Sequence, residues 1–318
     1  MIDTLHIYLL NPTHQEYSRI GSRLDHAQIR QDLNDQFPPS VLGQLGNLKV
    51  TANPSKVSVK GSLSKFHLGD NLQRLTRKGT EEALEHLSEK LSLPLVLSYI
   101  SRIDIGATMV MQHQPQEYFA VLGEAPRLDR SLFNGPHGPS VYHRNKQRTF
   151  ISYDKRAEAM KKKQTLVPVL RGQNLLRLEL KLTKRVPRQL GRERIQAGDL
   201  FEEEIWVSLL KNWYKQYRSI RKTPSLRFKE NLTMTNSKDL VHQLAGLGLQ
   251  QIGGEQAIVD LLKAERDCGR LDRQQFHRMK SKITELVSSS PLAIGTEEGR
   301  DLIDELDSKA KRVISSYR

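Results

Sequence analysis

Arg148-Thr149-Phe150-Ile151-Ser152-Tyr153-Asp154-Lys155-Arg156-Ala157-Glu158 changes its character halfway along. Thr149 to Tyr153 is apolar and β-branched, which suits a strand. Lys155 to Lys163, with Ala157, Glu158 and Ala159, suits the first turns of a helix. The stretch therefore reads as a strand that delivers a tyrosine, an acid and a lysine to a helix start. Upstream, Val141 to Arg144 and the turn-like Asn145-Lys146-Gln147 make it the second arm of a hairpin. Downstream, Leu175 to Leu182 alternates with period two, with Leu176, Leu178, Leu180 and Leu182 on one face and Arg177, Glu179 and Lys181 on the other.

Further out, Asp3 to Leu10 alternates as an opening strand, and residues 48 to 61 form a hairpin around Asn53-Pro54. Ser98 to Val110 is a long strand with Ile103 and Ile105 on one face and Arg102, Asp104 and Gly106 on the other. An Arg-x-acid pair thus occurs on two strands, as Arg102/Asp104 and Arg177/Glu179. Charges are depleted from strand interiors, so these acids either lie on a solvated face with cross-strand ion pairs or are aimed at something that needs a carboxylate. A short helix is expected over Asp25 to Leu33 within an otherwise irregular 12 to 45, a loop over 64 to 71, and a loop over 124 to 140. Helices are expected from Thr80, with that threonine as N-cap, and over Pro115 to Gly123. From Asp199 onward the strands cease, and helices follow at Leu200 to Ile220, Lys238 to Leu247, Glu255 to Arg266, Asp272 to Val287 and Glu297 to Tyr317.

The chain of 318 residues carries a net +14, and its pI is about 9.8. Between Val141 and Arg194 there are 16 Lys/Arg against 4 Asp/Glu, a local +12 around Tyr153. A polyanion is the expected partner, and a phosphodiester would be drawn to that strip. No apolar run approaches the roughly 18 residues of a membrane span and no signal peptide opens the chain, so a cytoplasmic protein is expected. The lone Cys268 excludes an intramolecular disulfide and a Cys-based zinc site, and reads as a structural thiol in a reducing compartment. No His-x-x-x-His pair is present, which leaves carboxylates as the natural ligands for a Mg²⁺ or Mn²⁺ ion. Of the other tyrosines, Tyr8 and Tyr99 fit strand packing, Tyr142 either packs or stacks on a base, and Tyr317 lacks the His-x-x-Arg box of a tyrosine recombinase.

Five blocks in order carry a resemblance. They are Met1-Ile2-Asp3 with its strand, Lys65 to Asn71 with Gly69-x-Asn71, Ser101-Arg102-Ile103-Asp104, Tyr153-x-Lys155-x-x-Glu158, and Arg177-x-Glu179 followed by Thr183-Lys184-Arg185 and Leu200-Phe201. Over roughly residues 1 to 205 the chain resembles the gene II/gene X replication initiators of filamentous phages, relatives of the rolling-circle Rep nickases. The resemblance implies an α+β fold of the Rep nuclease type, an antiparallel central sheet with flanking helices over 1–198; the helical pattern of 199–318 lies outside the resemblance and reads as an all-helical module. It implies a site-specific endonuclease acting on a phage or plasmid replication origin, double-stranded and single-stranded, in a bacterial cell, beside host helicase and polymerase. Carried over, Tyr153 is the nucleophile, Lys155 the cation at the scissile phosphate, and Asp104 and Glu179 the ligands of Mg²⁺ or Mn²⁺. Asp154 departs from the pattern.

The chemistry is consistent with these roles. A phenol ionises near pH 10, so attack on a phosphodiester needs a polarising cation and nearby positive charge. Arg102, Arg148, Lys161, Lys162, Lys163, Arg177, Lys181, Lys184 and Arg185 are the cations expected to meet DNA. Two other readings stay open: a non-catalytic DNA-binding replication regulator, and a tyrosine recombinase or relaxase of another type.

Overall fold

The computed structural model describes residues 1–30, 39–136, 138–164, 166–223, 226–228, 237–289, 293–295 and 297–316. In chain order the elements are β1 (Ile2–Leu10), α1 (His14–Ile20), β2 (Asp25–Arg30), β3 (Ser40–Leu45), β4 (Leu48–Asn53), β5 (Lys56–Ser62), α2 (Leu63–Leu68) and α3 (Arg77–Leu91). Then come β6 (Tyr99–Met111), α4 (Pro115–Val121), β7 (Asp129–Gly135), β8 (Gly138–Arg144), β9 (Arg148–Asp154), α5 (Lys155–Lys161), β10 (Asn174–Leu182), α6 (Val186–Gln189) and α7 (Glu203–Ser219). The chain continues with β11 (Leu226–Phe228), α8 (Ser237–Ile252), α9 (Glu255–Asp267), α10 (Arg273–Ser289), β12 (Ala293–Gly295) and α11 (Glu297–Ser315).

Ten strands form one sheet in the order β2-β3-β4-β5-β1-β6-β10-β9-β8-β7. Every neighbouring pair is antiparallel. The fold is the expected α+β arrangement with helices following the sheet. The sheet has two unlike faces because its central strands alternate. Leu176, Leu178, Leu180 and Leu182 of β10 bury with Ile103, Ile105, Ala107 and Met109 of β6 and Phe150 of β9. Helices α4, α7 and α11 pack on these strands. The Trp213 indole of α7 donates to the Leu178 carbonyl at 3.2 Å and lies 6.3 Å from the Phe150 ring. Helix α11 is fixed by two tyrosines, since the Tyr118 and Tyr217 hydroxyls donate to Glu305 and Asp307. Its Leu302, Leu306, Ala310 and Val313 join the same core.

Several elements differ from expectation. Residues 25–30 and 40–45 are strands, not a helix within an irregular segment, and β2 is exposed along its whole length. With no buried face, β2 carries no alternation to read. Residues 63–68 form α2 rather than a loop, capped by Ser62 and closed by Gly69 at φ 80°. Helix α3 begins a turn before Thr80, with Thr76 accepting the Gly79 amide at 3.0 Å. The expected loop at 124–140 contains β7, which pairs with β8 through Asn134↔Pro139. The C-terminal part is the expected helical module, with one short strand pair added, β11 and β12 meeting through Arg227↔Ile294. Cys268 is exposed, not a packed thiol. Tyr317 lies outside the described residues.

Candidate active site

Helix α5 starts where it does because Asp154 is its N-cap, its carboxylate accepting the Ala157 amide at 2.9 Å. That capping role explains the acid beside Tyr153. It leaves Tyr153 next to the end of β9, on the sheet face opposite the leucine core. Across the sheet on this face run two rows, Tyr153, Arg177 and Thr108, then Ile151, Glu179 and Gly106. A third row places Lys181 against Asp104. Glu179 and Asp104 are therefore diagonal neighbours on adjacent strands, with Cα atoms roughly 7–8 Å apart.

The Tyr153 hydroxyl donates to Glu179 Oε2 at 3.1 Å. Arg177 is the hub of the cluster. Its guanidinium donates to Asp3 Oδ2 at 2.6 Å, the Asn71 carbonyl and the Thr108 hydroxyl at 3.1 Å each, and Glu179 Oε2 at 3.4 Å. Asp3 reaches it because a bulge in β1 between Ile2 and Leu5 breaks the register with β6. Asp3 also accepts from Ser62 at 2.6 Å and from the Asn71 amide at 3.0 Å. Lys155 donates to Asn71 Oδ1 at 2.8 Å and to Glu158 at 2.5 Å, and Lys162 also pairs with Glu158. Asp104 is gripped by Arg102 in a two-point contact, 2.8 Å to Oδ1 and 2.5 Å to Oδ2.

The Arg-x-acid pairs are ion-paired, as one of the two sequence readings has it, but three of their members are buried and not on a wet face. Asp104 is 1% exposed, Arg177 3% and Glu179 4%. A solvated face is excluded for these three, and ionic groups at such depth require compensation. Burial, and next the charge of Glu179, pushes the Tyr153 phenol well above its ordinary range, with Arg177 opposing. Burial raises Asp104 to about 6; the Arg102 hydrogen bonds oppose the shift and the charge of Glu179 adds to it. Burial also tends to raise Asp3, yet Arg177, the Ser62 and Asn71 hydrogen bonds and Lys155 together hold it below the usual carboxylate range. Lys155 is lowered by burial and by Arg177, against the pull of Glu158.

The structure gathers Tyr153, Lys155, Asp104, Glu179, Arg102, Arg177 and Lys181 into this cluster. Lys155 is fully enclosed between Asn71 and Glu158, so it holds α5 to the residue-71 turn and does not face an open trough. Lys161 and Lys162 sit at the end of α5, where Lys161 donates to the Pro136 carbonyl, and Lys163 is exposed beyond it. Lys184 and Arg185 lie past the end of β10, exposed. Arg148 is on the other side of β9 from Tyr153, with Phe150 and Ser152, and contacts Gln216 of α7 at 3.4 Å. Asp3, Asn71, Thr108 and Gly106 belong to the cluster without having been assigned a place in it from sequence. Asp3 and Asn71 stood in the resemblance blocks, and that was their only signal.

On the same sheet face a second register break, between His6 and Ile7, brings Tyr8 and Tyr99 together as partners. Their rings are 5.6 Å apart, the Lys56 ammonium sits 4.4 Å from the Tyr8 ring, and both tyrosines are half-buried rather than core. They line a cleft of about 510 Å³ that Arg185 and Arg194 share. His6, on the way from Asp104 to this pair, is pushed down to about 4 by burial, Arg102 and Lys60, so it is neutral at neutral pH.

The family model for the N-terminal part of the phage gene II replication-associated protein matches residues 1–215, from β1 into α7. The chain belongs to this phage replication-initiator family. No match was found among the curated proteins. The residues matched to the initiator family contain the whole tyrosine cluster and the tyrosine pair. Among the described residues no helix is long and apolar enough to cross a membrane. Also among them, no three His, Cys, Asp or Glu side chains converge as a ligand set for a metal. Asp104 and Glu179 supply two hard oxygen donors whose charges repel, which is the situation a divalent cation relieves. Both are held by guanidinium groups, so an ion between them would have to displace Arg102 from Asp104.

Proposed function

We propose that this initiator nicks one DNA strand by attack of Tyr153 on the scissile phosphodiester. The observation that supports this most is the hydrogen bond from Tyr153 to Glu179 Oε2, the same oxygen that accepts from Arg177, so that one carboxylate joins the phenol to a buried cation. In the step proposed, the phenolic proton passes to Glu179 and Tyr153 Oη bonds to phosphorus. The bond from phosphorus to the 3′ oxygen breaks, and that oxygen leaves with a proton from solvent. The products are a 5′-phosphotyrosyl strand and a free 3′-OH fit to prime synthesis. Arg177 stabilises the forming phenolate and phosphorane charge, and its fixed guanidinium needs no reorganisation to do so. Lys155 and Glu158 act as positioning residues that hold α5, and with it the end of β9.

A Mg²⁺ or Mn²⁺ ion on Asp104 and Glu179 would polarise the phosphate oxygens. The phosphate itself can draw Arg102 off Asp104, since the Arg102 side chain is 30% exposed. Beyond the cluster, Tyr8 and Tyr99 with Lys56, Arg185 and Arg194 suit a single strand, whose bases stack on aromatic rings while the backbone meets cations. Supercoiled replicative-form DNA carrying the origin tests the proposal. The protein converts it to open circles, and Tyr153→Phe does not. Equal nicking by both proteins overturns the assignment. Salt-dependent DNA binding without nicking by either would favour the non-catalytic regulator.

A further inference from the structure

Away from the tyrosine cluster, the turn at residues 126–128, the hairpin end at residues 145–148 and helix α7 enclose a second cleft of about 560 Å³. Four cations line it, Arg127, Arg148, Lys211 and Lys215, and no aspartate or glutamate does. Arg148 is half-buried there, its hydrogen bond being to the neutral Gln216, and among the described residues it has no carboxylate within ion-pair distance. Burying a guanidinium without an acid costs free energy, which burial's downward push on Arg148 reflects. Lys211 and Lys215 are exposed one turn apart on α7, a spacing at which like charges repel. Both features fit an anion that arrives from outside.

The cleft is distinct from the proposed nicking site. Arg148 projects from β9 on the face packed by α7, Tyr153 from the other face five residues on, roughly 16 Å along the strand. We propose that this cleft binds the phosphate backbone of duplex DNA, at a segment other than the one presented to Tyr153. A single strand would call for aromatic rings, and the cleft has none along its lining, only cations among amide, hydroxyl and small apolar side chains. The inference rests on the chain acting on DNA but not on the chemistry of Tyr153.

The test is equilibrium binding of a fluorescent duplex of random sequence by the full chain, followed by anisotropy across a potassium chloride series. The triple variant Arg148→Gln, Lys211→Gln, Lys215→Gln is compared with Lys78→Gln, Lys90→Gln, Arg19→Gln, which removes the same charge from exposed positions elsewhere. The slope of log affinity against log salt falls by about 2 to 3 in the first variant, at about 0.9 for each phosphate that is no longer neutralised. A fall no larger than in the second variant overturns the proposal. Binding by the unaltered protein that ignores salt overturns it as well, together with the DNA reading itself. Arg148→Gln alone also reports independently of DNA. It leaves the urea midpoint unchanged or raises it, because an uncompensated charge is removed, whereas a lower midpoint assigns Arg148 to the fold and contradicts the proposal. Since the readouts are binding and folding, they succeed or fail separately from nicking.

Discussion

The Arg177 guanidinium lies against the bare backbone of Gly106. A Cβ built at Gly106 would stand 2.8 Å from Nη2 and 3.1 Å from Cζ of that side chain. Four acceptors fix Arg177, so it has nowhere to withdraw. Gly106→Ala therefore costs about 1–3 kcal/mol of stability, the usual range for overpacking a close-fitted interior. It also lowers nicking, because Arg177 is pushed off Glu179 Oε2, the oxygen that accepts from Tyr153. Urea unfolding and plasmid nicking of the variant measure both effects, and a wild-type midpoint would remove Gly106 from the account.

Arg177→Met leaves Asp3 and Glu179 buried with a large part of their compensation gone, and is expected to cost about 3–5 kcal/mol. Arg177→Lys recovers less than half of that loss, since a single ammonium cannot reach the four acceptors that the planar fork serves. Adding Asp3→Asn to Arg177→Met recovers stability, so the double variant is less unstable than the sum of the two single losses. Additive losses in such a cycle would mean that the two residues are not coupled.

Asp104 gives the stability a signed pH dependence. It titrates at about 6 in the fold because of its burial and the Glu179 charge, while an aspartate in the unfolded chain titrates near 3.9. Between those values the folded protein holds the extra proton, so the stability from this residue falls as pH rises from about 4 to 6. Asp104→Asn removes that loss. The unfolding free energy of the variant minus that of the parent rises through this window and is flat above pH 7. Asp3 and Glu158, whose carboxyls are held low, act in the opposite sense but are present in both proteins and cancel. A difference that stays constant from pH 4 to 7 contradicts the placement of Asp104.

Displacement of Arg102 sets the expectation for a metal ion. Arg102→Gln frees Asp104, so calorimetric titration with Mn²⁺ shows tighter uptake by this variant than by the parent. Asp104→Asn and Glu179→Gln each weaken uptake at least tenfold. Equal uptake by all four proteins would place any bound ion elsewhere.

How far the sequence could be read follows from where the signal was local. The leucines from Leu176 to Leu182 announced β10 because one face is buried and the other is not, and period two needs nothing else. The same alternation placed Asp104 on the polar face of its strand and Arg177 and Glu179 on that of theirs, but did not show the pairing of the two strands that brings them together. It misled where both faces are alike, as along the exposed β2, or where the element has six residues, as in α2. Asp3 and Asn71 could not be placed by pattern, since they reach Arg177 through a bulge and a helix-ending turn that bring together positions 68 residues apart. Arg148 was grouped with the cations around Tyr153 by proximity in sequence. Alternation along β9 sends the two side chains to opposite faces.

The most direct measurement is the mass of the peptide bearing residue 153 after the protein has reacted with origin DNA and been digested with nuclease and protease. The account predicts a nucleotide 5′-phosphate esterified to Tyr153, present in the parent, absent in Tyr153→Phe and strongly reduced in Glu179→Gln. An adduct on a different residue, or efficient nicking with no adduct at all, would contradict it.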